Sequence, residues 1–276
     1  INREQSLSDS SHPNLIQIID GGYWDEKKLF FLSMEFLPWK NLAEVLHELP
    51  QGFEHSIISQ VASAAHFLAK TGICHRDIKP ENIAISNDFH KVKLLDLGVI
   101  KIQGSTNVTD SKKSKAFIST LKYSPPELLT RNEEDTPASW DAITFYQLGG
   151  VLHDLIMRRT LFSEFEEPYA RLVNAVQYEE PQIDSDSVHP NLLTLARHCL
   201  LKPPEIRLKV LSWDSFNDKL SEKDERPDYR SLIRTKQLVQ STTSEIISPN
   251  PDGLKQLLGQ HSHSIEQMCR TECISN

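Results

Sequence analysis

The sequence predicts an α+β fold in which the strands come early and helices make up most of the rest. Two short apolar runs, at 15–20 and 29–33, flank a polar turn that contains two glycines, which is the pattern of a β-hairpin. Residues 53–70 carry apolar side chains at helical spacing, and Thr71-Gly72 provides the helix end. Further helical patterns cover 144–157, 169–177 and 191–200.

The composition fits a folded protein and excludes some classes of function. Of the 276 residues 38% are hydrophobic and 25% are charged. The formal net charge of -8 argues against nucleic acid as the main partner, because phosphate backbones attract basic surfaces. The four cysteines lack the spacing of a disulfide framework, so we expect a reducing, cytoplasmic location. No apolar run reaches the ~18 residues of a transmembrane helix, so we expect no membrane segment.

Residues 75–82 contain the chemical groups that phosphoryl transfer needs. They read His-Arg-Asp-Ile-Lys-Pro-Glu-Asn and bring Asp77, Lys79 and Asn82 close together in the chain. Asp96 follows 14 residues after Asn82, at the end of an apolar run that predicts a strand. A carboxylate can orient the attacking hydroxyl, a lysine can neutralise the transferring phosphoryl, and an Asn with a second Asp can hold Mg²⁺. A solvated turn would explain a single tripeptide, but not this whole pattern at this spacing.

This pattern resembles the eukaryotic-type protein kinase family. Residues 75–82 look like its catalytic loop, and Asp96-Leu97-Gly98 looks like its DFG motif with Leu in place of Phe. A lysine two residues after the Asp is the serine/threonine form of the loop. The resemblance implies a protein-kinase-like fold and transfer of the γ-phosphoryl of ATP to Ser or Thr hydroxyls of protein substrates. Asp77 and Lys79 would then be catalytic, while Asn82 and Asp96 would bind Mg²⁺.

The start of the chain resembles the last part of the small, β-rich lobe of a kinase. Glu4 matches the helix glutamate that pairs with the ATP-binding lysine, and the hairpin matches two strands of that lobe. No Gly-rich phosphate loop and no such lysine stand ahead of Glu4 in the sequence. We therefore expect a fragment that transfers phosphate negligibly by itself, with the remaining strands encoded upstream of Ile1.

The resemblance also assigns residues that would contact ATP. Met34 would be the gatekeeper, and the backbones of Glu35 and Leu37 would hydrogen-bond adenine. Asn41 takes the position of a ribose-contacting residue. Ala84 would lie under adenine, where the family usually has a larger Leu. ATP and Mg²⁺ are therefore the expected cofactors.

The polar stretch 99–119, rich in Ser, Thr and Lys, resembles the activation loop. Thr120, just after it, would hydrogen-bond the catalytic Asp and Lys. Arg76 would receive a phosphate added to residues 105–119 by an upstream kinase or by autophosphorylation. This loop would therefore control activity through charge pairing.

Two further features concern how the large lobe is held together. Glu127 of the Pro-Pro-Glu stretch resembles the glutamate of the APE motif, and it would pair with Arg207. The chain departs from the family at Thr144, which aligns with the Asp that usually anchors the backbone of the catalytic loop. Asp141, nearly a helical turn earlier, is a candidate substitute.

The resemblance covers residues 2–216 and divides the chain into three parts. They are a remnant of the small lobe (1–36), the large lobe (37–216) and a helical or partly disordered extension (217–276). A competing hypothesis is a pseudokinase, a kinase fold that binds partners without catalysis. The intact motif residues argue against it, whereas Thr144 and the absent lysine argue for it. A small-molecule kinase is disfavoured by the activation loop and the Pro-Pro-Glu motif.

Overall fold

The structure is a computed structural model, and it describes residues 11–96, 101–102 and 121–217. All of these belong to the first of two units of the chain, Ile1–Glu222, and the second unit is Lys223–Asn276. Several predictions lie outside the described residues. They concern Glu4, Leu97 and Gly98, the loop 105–119, Thr120 and the extension after residue 217.

The predicted hairpin near the start is confirmed, but its turn is shorter than expected. Strand β1 (Ile18–Trp24) pairs with antiparallel β2 (Leu29–Met34). The first strand therefore continues through both glycines, and only residues 25–28 form the turn. Gly22 lies opposite Phe31, whose ring comes within 3.3 Å of where a Cβ would be. Glycine at this position gives the ring the space that lets pairing continue.

Five short strands form two further small sheets. Strands β3 (Lys40–Asn41), β5 (Ile83–Ile85) and β6 (Val92–Leu94) form one sheet in the order β3-β5-β6. Strand β4 (Ile73–Cys74) pairs with β7 (Lys101–Ile102). Strands β5 and β6 form an antiparallel hairpin. The polar stretch 86–90 between two apolar runs of the sequence is the pattern of such a hairpin.

Helices dominate the described part of the chain. The α-helices are α1 (Leu42–Val45), α2 (Glu54–Lys70), α3 (Pro126–Leu129), α4 (Pro137–Met157), α5 (Tyr169–Tyr178), α6 (Pro190–Cys199) and α7 (Pro204–Val210). Short 3-10 helices cover Pro80–Asn82, Ser163–Phe165 and Trp213–Phe216. The predicted α+β class, mainly helical with small sheets, is confirmed. In the part of the chain that the structure describes, no helix is long and apolar enough to cross a membrane.

Helix α4 is the core of this unit, and it starts earlier than the sequence analysis predicted. Its residues from Ala142 to Ile156 are all buried. The apolar pattern predicted a start at Thr144, but the helix begins at Pro137. Thr136 caps it by accepting a hydrogen bond from the Ser139 N–H at 3.2 Å, and proline suits the first helical position. The Thr-Pro signal therefore adds about two turns that the apolar pattern does not reveal.

Helix α2 ends where the sequence predicts. Gly72 adopts a left-handed backbone with φ of 73°, and its N–H donates to the Ala69 carbonyl at 3.0 Å. Glycine accepts this conformation without the steric cost that a Cβ brings. The chain then turns into β4, which leads directly into residues 75–82.

Candidate functional site

The histidine at the start of residues 75–82 ties this loop to the segment before Asp96. His75 is buried, and burial lowers the pKa of its imidazole. In the neutral ring one nitrogen accepts and the other donates. Nδ1 accepts from the Asp77 N–H at 3.3 Å, and Nε2 donates to the Leu95 carbonyl at 2.8 Å. The loop and the chain leading to Asp96 are therefore held together by one side chain.

The carboxylate of Asp77 is held by two neighbouring donors. Lys79 Nζ lies 2.9 Å from Oδ2 of Asp77, and Asn82 Nδ2 donates to the same oxygen at 2.9 Å. The Asn82 amide also donates to the Asp77 carbonyl at 2.8 Å. All three residues are buried, at 8–9% exposure. The structure thus brings together the acid, the cation and the carboxamide that the sequence singled out.

Asn82 and Asp96 lie at the same end of the β5–β6 pair. Ile83 is opposite Leu94, and the Leu95 N–H donates to the Asn82 carbonyl at 2.8 Å. Asp96, the next residue, is exposed and has a left-handed backbone with φ of 52°, which Asp tolerates better than most residues. Strand pairing therefore places the two predicted metal ligands beside each other.

These two residues fit a magnesium ion that ATP and water help to hold. The bonds to Asp77 occupy the Asn82 amide nitrogen, so its Oδ1 remains as an oxygen ligand beside the Asp96 carboxylate. Mg²⁺ is usually held by one or two protein carboxylates together with substrate phosphates and waters. Among the described residues there is no group of three His, Cys, Asp or Glu that could hold a metal. A Mg²⁺ ion at this position would therefore share its ligands between the protein, ATP and water.

Arg76 forms an ion pair with Glu133, an acidic residue from another part of the chain. Its Nη2 lies 3.0 Å from Oε1 of Glu133, and the two side chains are only 20% and 14% exposed. Its backbone is left-handed, with φ of 67°. A phosphate on residues 105–119 would have to compete with this carboxylate for Arg76. That phosphate contact stays a prediction.

The prediction that Asp141 of α4 anchors the backbone of the catalytic loop is wrong. Thr144 donates within its own helix to the Trp140 carbonyl at 2.8 Å. Asp141 instead hydrogen-bonds Trp213, and burial raises the pKa of its carboxyl. Neither reaches the backbone of residues 75–82, because each is engaged elsewhere.

Gln147, which the sequence analysis missed, makes the contact instead. Its Nε2 donates to the Arg76 carbonyl at 2.7 Å, and its Oε1 accepts from the Ile78 N–H at 3.4 Å. One signal was available in the sequence: a polar amide in the middle of an apolar helical pattern. A buried amide needs hydrogen-bond partners, so such a residue points to a contact with another segment.

The segment predicted to contact adenine follows β2. Met34 ends that strand with its side chain 45% exposed. The Glu35 N–H donates to the Gln17 carbonyl at 2.9 Å, so its own carbonyl is the group that remains for adenine. The Glu35 carboxylate forms an ion pair with Lys93. Leu37 is partly buried against the hydrophobic core. The adenine contacts themselves remain predictions.

The other two predicted ATP contacts are neighbours in the β3–β5 pair. Asn41 lies directly opposite Ala84, which is buried in β5. The Asn41 side chain caps α1, because its oxygen accepts from the Glu44 N–H at 3.0 Å. A ribose contact would therefore use the same carboxamide that holds the start of this helix.

Glu127 and Arg207 form an ion pair in the interior. Arg207 is fully buried, and Glu127 is 8% exposed. The guanidinium also donates to the carbonyls of Ala142 at 3.1 Å, Leu201 at 2.6 Å and Lys202 at 3.0 Å. Burial raises the pKa of Glu127, although Arg207 draws it down. This single cation links α3 and α7 to the start of α4.

Comparison with known proteins identifies the family of this chain. The model of the protein kinase domain family matches residues 1–215. The chain belongs to the eukaryotic-type protein kinase family.

Curated relatives carry kinase names. The chain is 28% identical over 212 residues to a probable serine/threonine-protein kinase of Streptomyces coelicolor, covering 74% of this chain and 30% of that protein. It is 28% identical over 218 residues to sperm motility kinase 3A of Mus musculus, covering 77% and 41%. It is 31% identical over 205 residues to a serine/threonine-protein kinase of Saccharomyces cerevisiae, covering 68% and 25%. The chain thus spans between a quarter and about two-fifths of the length of these relatives.

Proposed function

We propose that this protein transfers the γ-phosphoryl group of ATP to Ser or Thr hydroxyls of protein substrates. The observation that carries the proposal is the Asp77 carboxylate, held by both Lys79 and Asn82, with Asn82 bonded to the residue before Asp96. These groups match the needs of phosphoryl transfer, where catalysis is mainly positioning and charge stabilisation. ATP and Mg²⁺ would be its cofactors.

Each residue of this cluster has a distinct part in the proposed reaction. Asp77 accepts a hydrogen bond from the substrate hydroxyl and aims its oxygen at the phosphorus. Lys79 neutralises charge on the transferring group, and its contact with Asp77 keeps the ammonium at that position. Asn82 and Asp96 would hold Mg²⁺, which neutralises the phosphate oxygens when bound. The buried positions of Asp77 and Lys79 strengthen these electrostatic effects.

Ser/Thr specificity is supported by Lys79 and by the names of relatives. Lys79 occupies the serine/threonine form of the catalytic loop, and the Streptomyces and Saccharomyces relatives are named as serine/threonine-protein kinases. One argument for the pseudokinase alternative is that Thr144 replaces the Asp that usually anchors the catalytic loop. Gln147 supplies bonds to the loop from the same helix, which weakens that argument.

The test compares Asp77→Asn with the matched control Asp184→Asn, which changes an exposed Asp. Both variants are made in a form of the protein that includes a Gly-rich phosphate loop and an ATP-anchoring lysine. They are assayed on Ser, Thr and Tyr peptides and on a panel of small metabolites. We expect Asp77→Asn to lower turnover on Ser and Thr peptides by about 10²-fold or more while ATP affinity stays within a few-fold. ATP binding without transfer by the unmodified parent of these variants would favour the pseudokinase, and transfer only to metabolites would favour a small-molecule kinase.

A further inference from the structure

We infer that Gln147 is the positioning residue for Asp77, because it holds the two peptide groups on either side of that residue. The inference rests on the proposed function for the role of Asp77, while the contact itself is a property of the fold. It assigns to a neutral carboxamide of α4 the task for which the sequence suggested Asp141 in place of the Asp that Thr144 replaces.

The geometry is that of a two-point clamp. Gln147 is 1% exposed, and its flat carboxamide offers one donor and one acceptor side by side. The donor bonds the carbonyl of Arg76, at 2.7 Å, and the acceptor bonds the N–H of Ile78, at 3.4 Å. Asp77 lies between these two contacts. Its backbone therefore has little freedom to rotate, and the carboxylate keeps its direction.

The loop needs an external restraint of this kind. Arg76 has a left-handed backbone, which is unfavourable for a residue with a Cβ, so the surrounding structure must hold it. Its side chain is held by Glu133 and its carbonyl by Gln147. If the carbonyl were released, rotation of the next peptide plane would turn the Asp77 side chain away from the substrate hydroxyl.

The chemistry of the clamp explains why an amide serves here. A carboxylate has acceptors only, so it would keep the bond from the Ile78 N–H but would point an oxygen at the Arg76 carbonyl. Glutamine supplies both a donor and an acceptor with the same shape. Gln147→Glu keeps one of the two bonds, and Gln147→Met keeps neither. The two variants therefore separate the two contacts without changing the size of the side chain much.

The experiment measures kinetics and amide hydrogen exchange for these two variants. Thr144→Val is the matched control, because Thr144 is buried on the same helix, bonds within it and reaches only the Cys74 sulfur, at 3.8 Å, outside it. We expect both Gln147 variants to lower kcat by about 10-fold to 100-fold, with the KM for ATP within about 3-fold, since a small misplacement of a reacting group has costs of this size. Exchange of the Ile78 amide should quicken about 10-fold or more in Gln147→Met, while amides in the second half of α4 keep their protection. Thr144→Val should change neither.

The outcomes separate this inference from the proposed function. If a form of the protein with a Gly-rich phosphate loop and an ATP-anchoring lysine transfers no phosphate, the proposed function fails, and faster Ile78 exchange in Gln147→Met still supports the clamp. A folded Gln147→Met protein with unchanged kcat and unchanged Ile78 exchange overturns the inference. If Gln147→Met does not fold, the inference is tested by kcat and Ile78 exchange in Gln147→Glu and by Ile78 exchange in the unmodified chain. Free exchange of the Ile78 amide in the unmodified chain overturns the clamp by itself.

Discussion

Arg76 and Glu133 form a largely buried ion pair of 3.0 Å immediately before Asp77 in the chain. The pair joins the loop of residues 75–82 to the segment between α3 and α4. Its contribution to the free energy of unfolding should lie between that of an exposed ion pair and that of a fully buried one, because water still reaches part of both side chains.

Glu133→Gln should therefore destabilise the protein by about 1–3 kcal/mol, since it leaves the Arg76 cation without its carboxylate. Chemical unfolding measures the change. Asp25→Asn is the control, because Asp25 pairs with Lys28 at the exposed turn of the hairpin and should cost less than about 0.5 kcal/mol. Equal stability of the two variants would contradict a buried role for the Arg76–Glu133 pair.

Asp96→Asn should raise the Mg²⁺ concentration needed for ATP binding. The variant loses a charged oxygen ligand beside Asn82, and we expect the midpoint of a Mg²⁺ titration to rise about 10-fold or more. Calorimetry of ATP binding at increasing Mg²⁺ makes the measurement. Asp186→Asn, an exposed residue far along the chain, is the control and should leave the midpoint where it is. An unchanged midpoint for Asp96→Asn would remove Asp96 from the proposed metal site.

Arg207→Met should destabilise the protein strongly, by about 3–5 kcal/mol, because it leaves the carboxylate of Glu127 buried without a cation. Changing both partners, to Glu127→Gln with Arg207→Met, should recover part of that loss. Thermal and chemical unfolding of the single and double variants give the coupling energy. A double variant that loses the full sum of the two single changes would show that the residues act independently.

The stability of the protein should depend on pH through Lys202. Burial lowers the pKa of this ammonium from 10.5 to about 7, although it donates to the Val176 carbonyl at 2.7 Å. In the unfolded chain the group stays protonated up to its ordinary pKa. Between about pH 7 and 10.5 the unfolded state therefore binds more protons, so the contribution of Lys202 to stability rises with pH.

Lys202→Met should remove this rise of stability with pH. Unfolding free energies at pH 7, 8 and 9 would be compared with those of Lys209→Met, which changes an exposed lysine of α7 and should keep the dependence. A Lys202→Met protein whose stability follows the same pH curve as the unmodified protein would refute the prediction.

Features that depend on nearby residues could be read from the sequence. The periodicity of 53–70 and the glycine after it predict α2 and its end, because helix formation and capping involve contacts within a few residues. The unbroken run 75–82, with Asp96 at its spacing, predicts the family and the acid, cation and carboxamide that meet in the site. The prediction that α4 starts at Thr144 is also a local error, because the Thr136-Pro137 cap signal is present in the sequence.

Only the tertiary structure decided which groups hold this loop. Gln147 bonds residues 69 and 71 positions away, and Glu133 lies 57 positions from Arg76. Neither residue belongs to a motif, and other polar residues stand close by, such as Thr144 and Asp141. The choice among them depends on which side chain of α4 faces the loop and has the length and the donor–acceptor pair to reach two peptide groups. That is fixed by how the helix packs against β4 and α2, because packing sets the rotation and depth of the helix to within the few tenths of an ångström that a hydrogen bond allows.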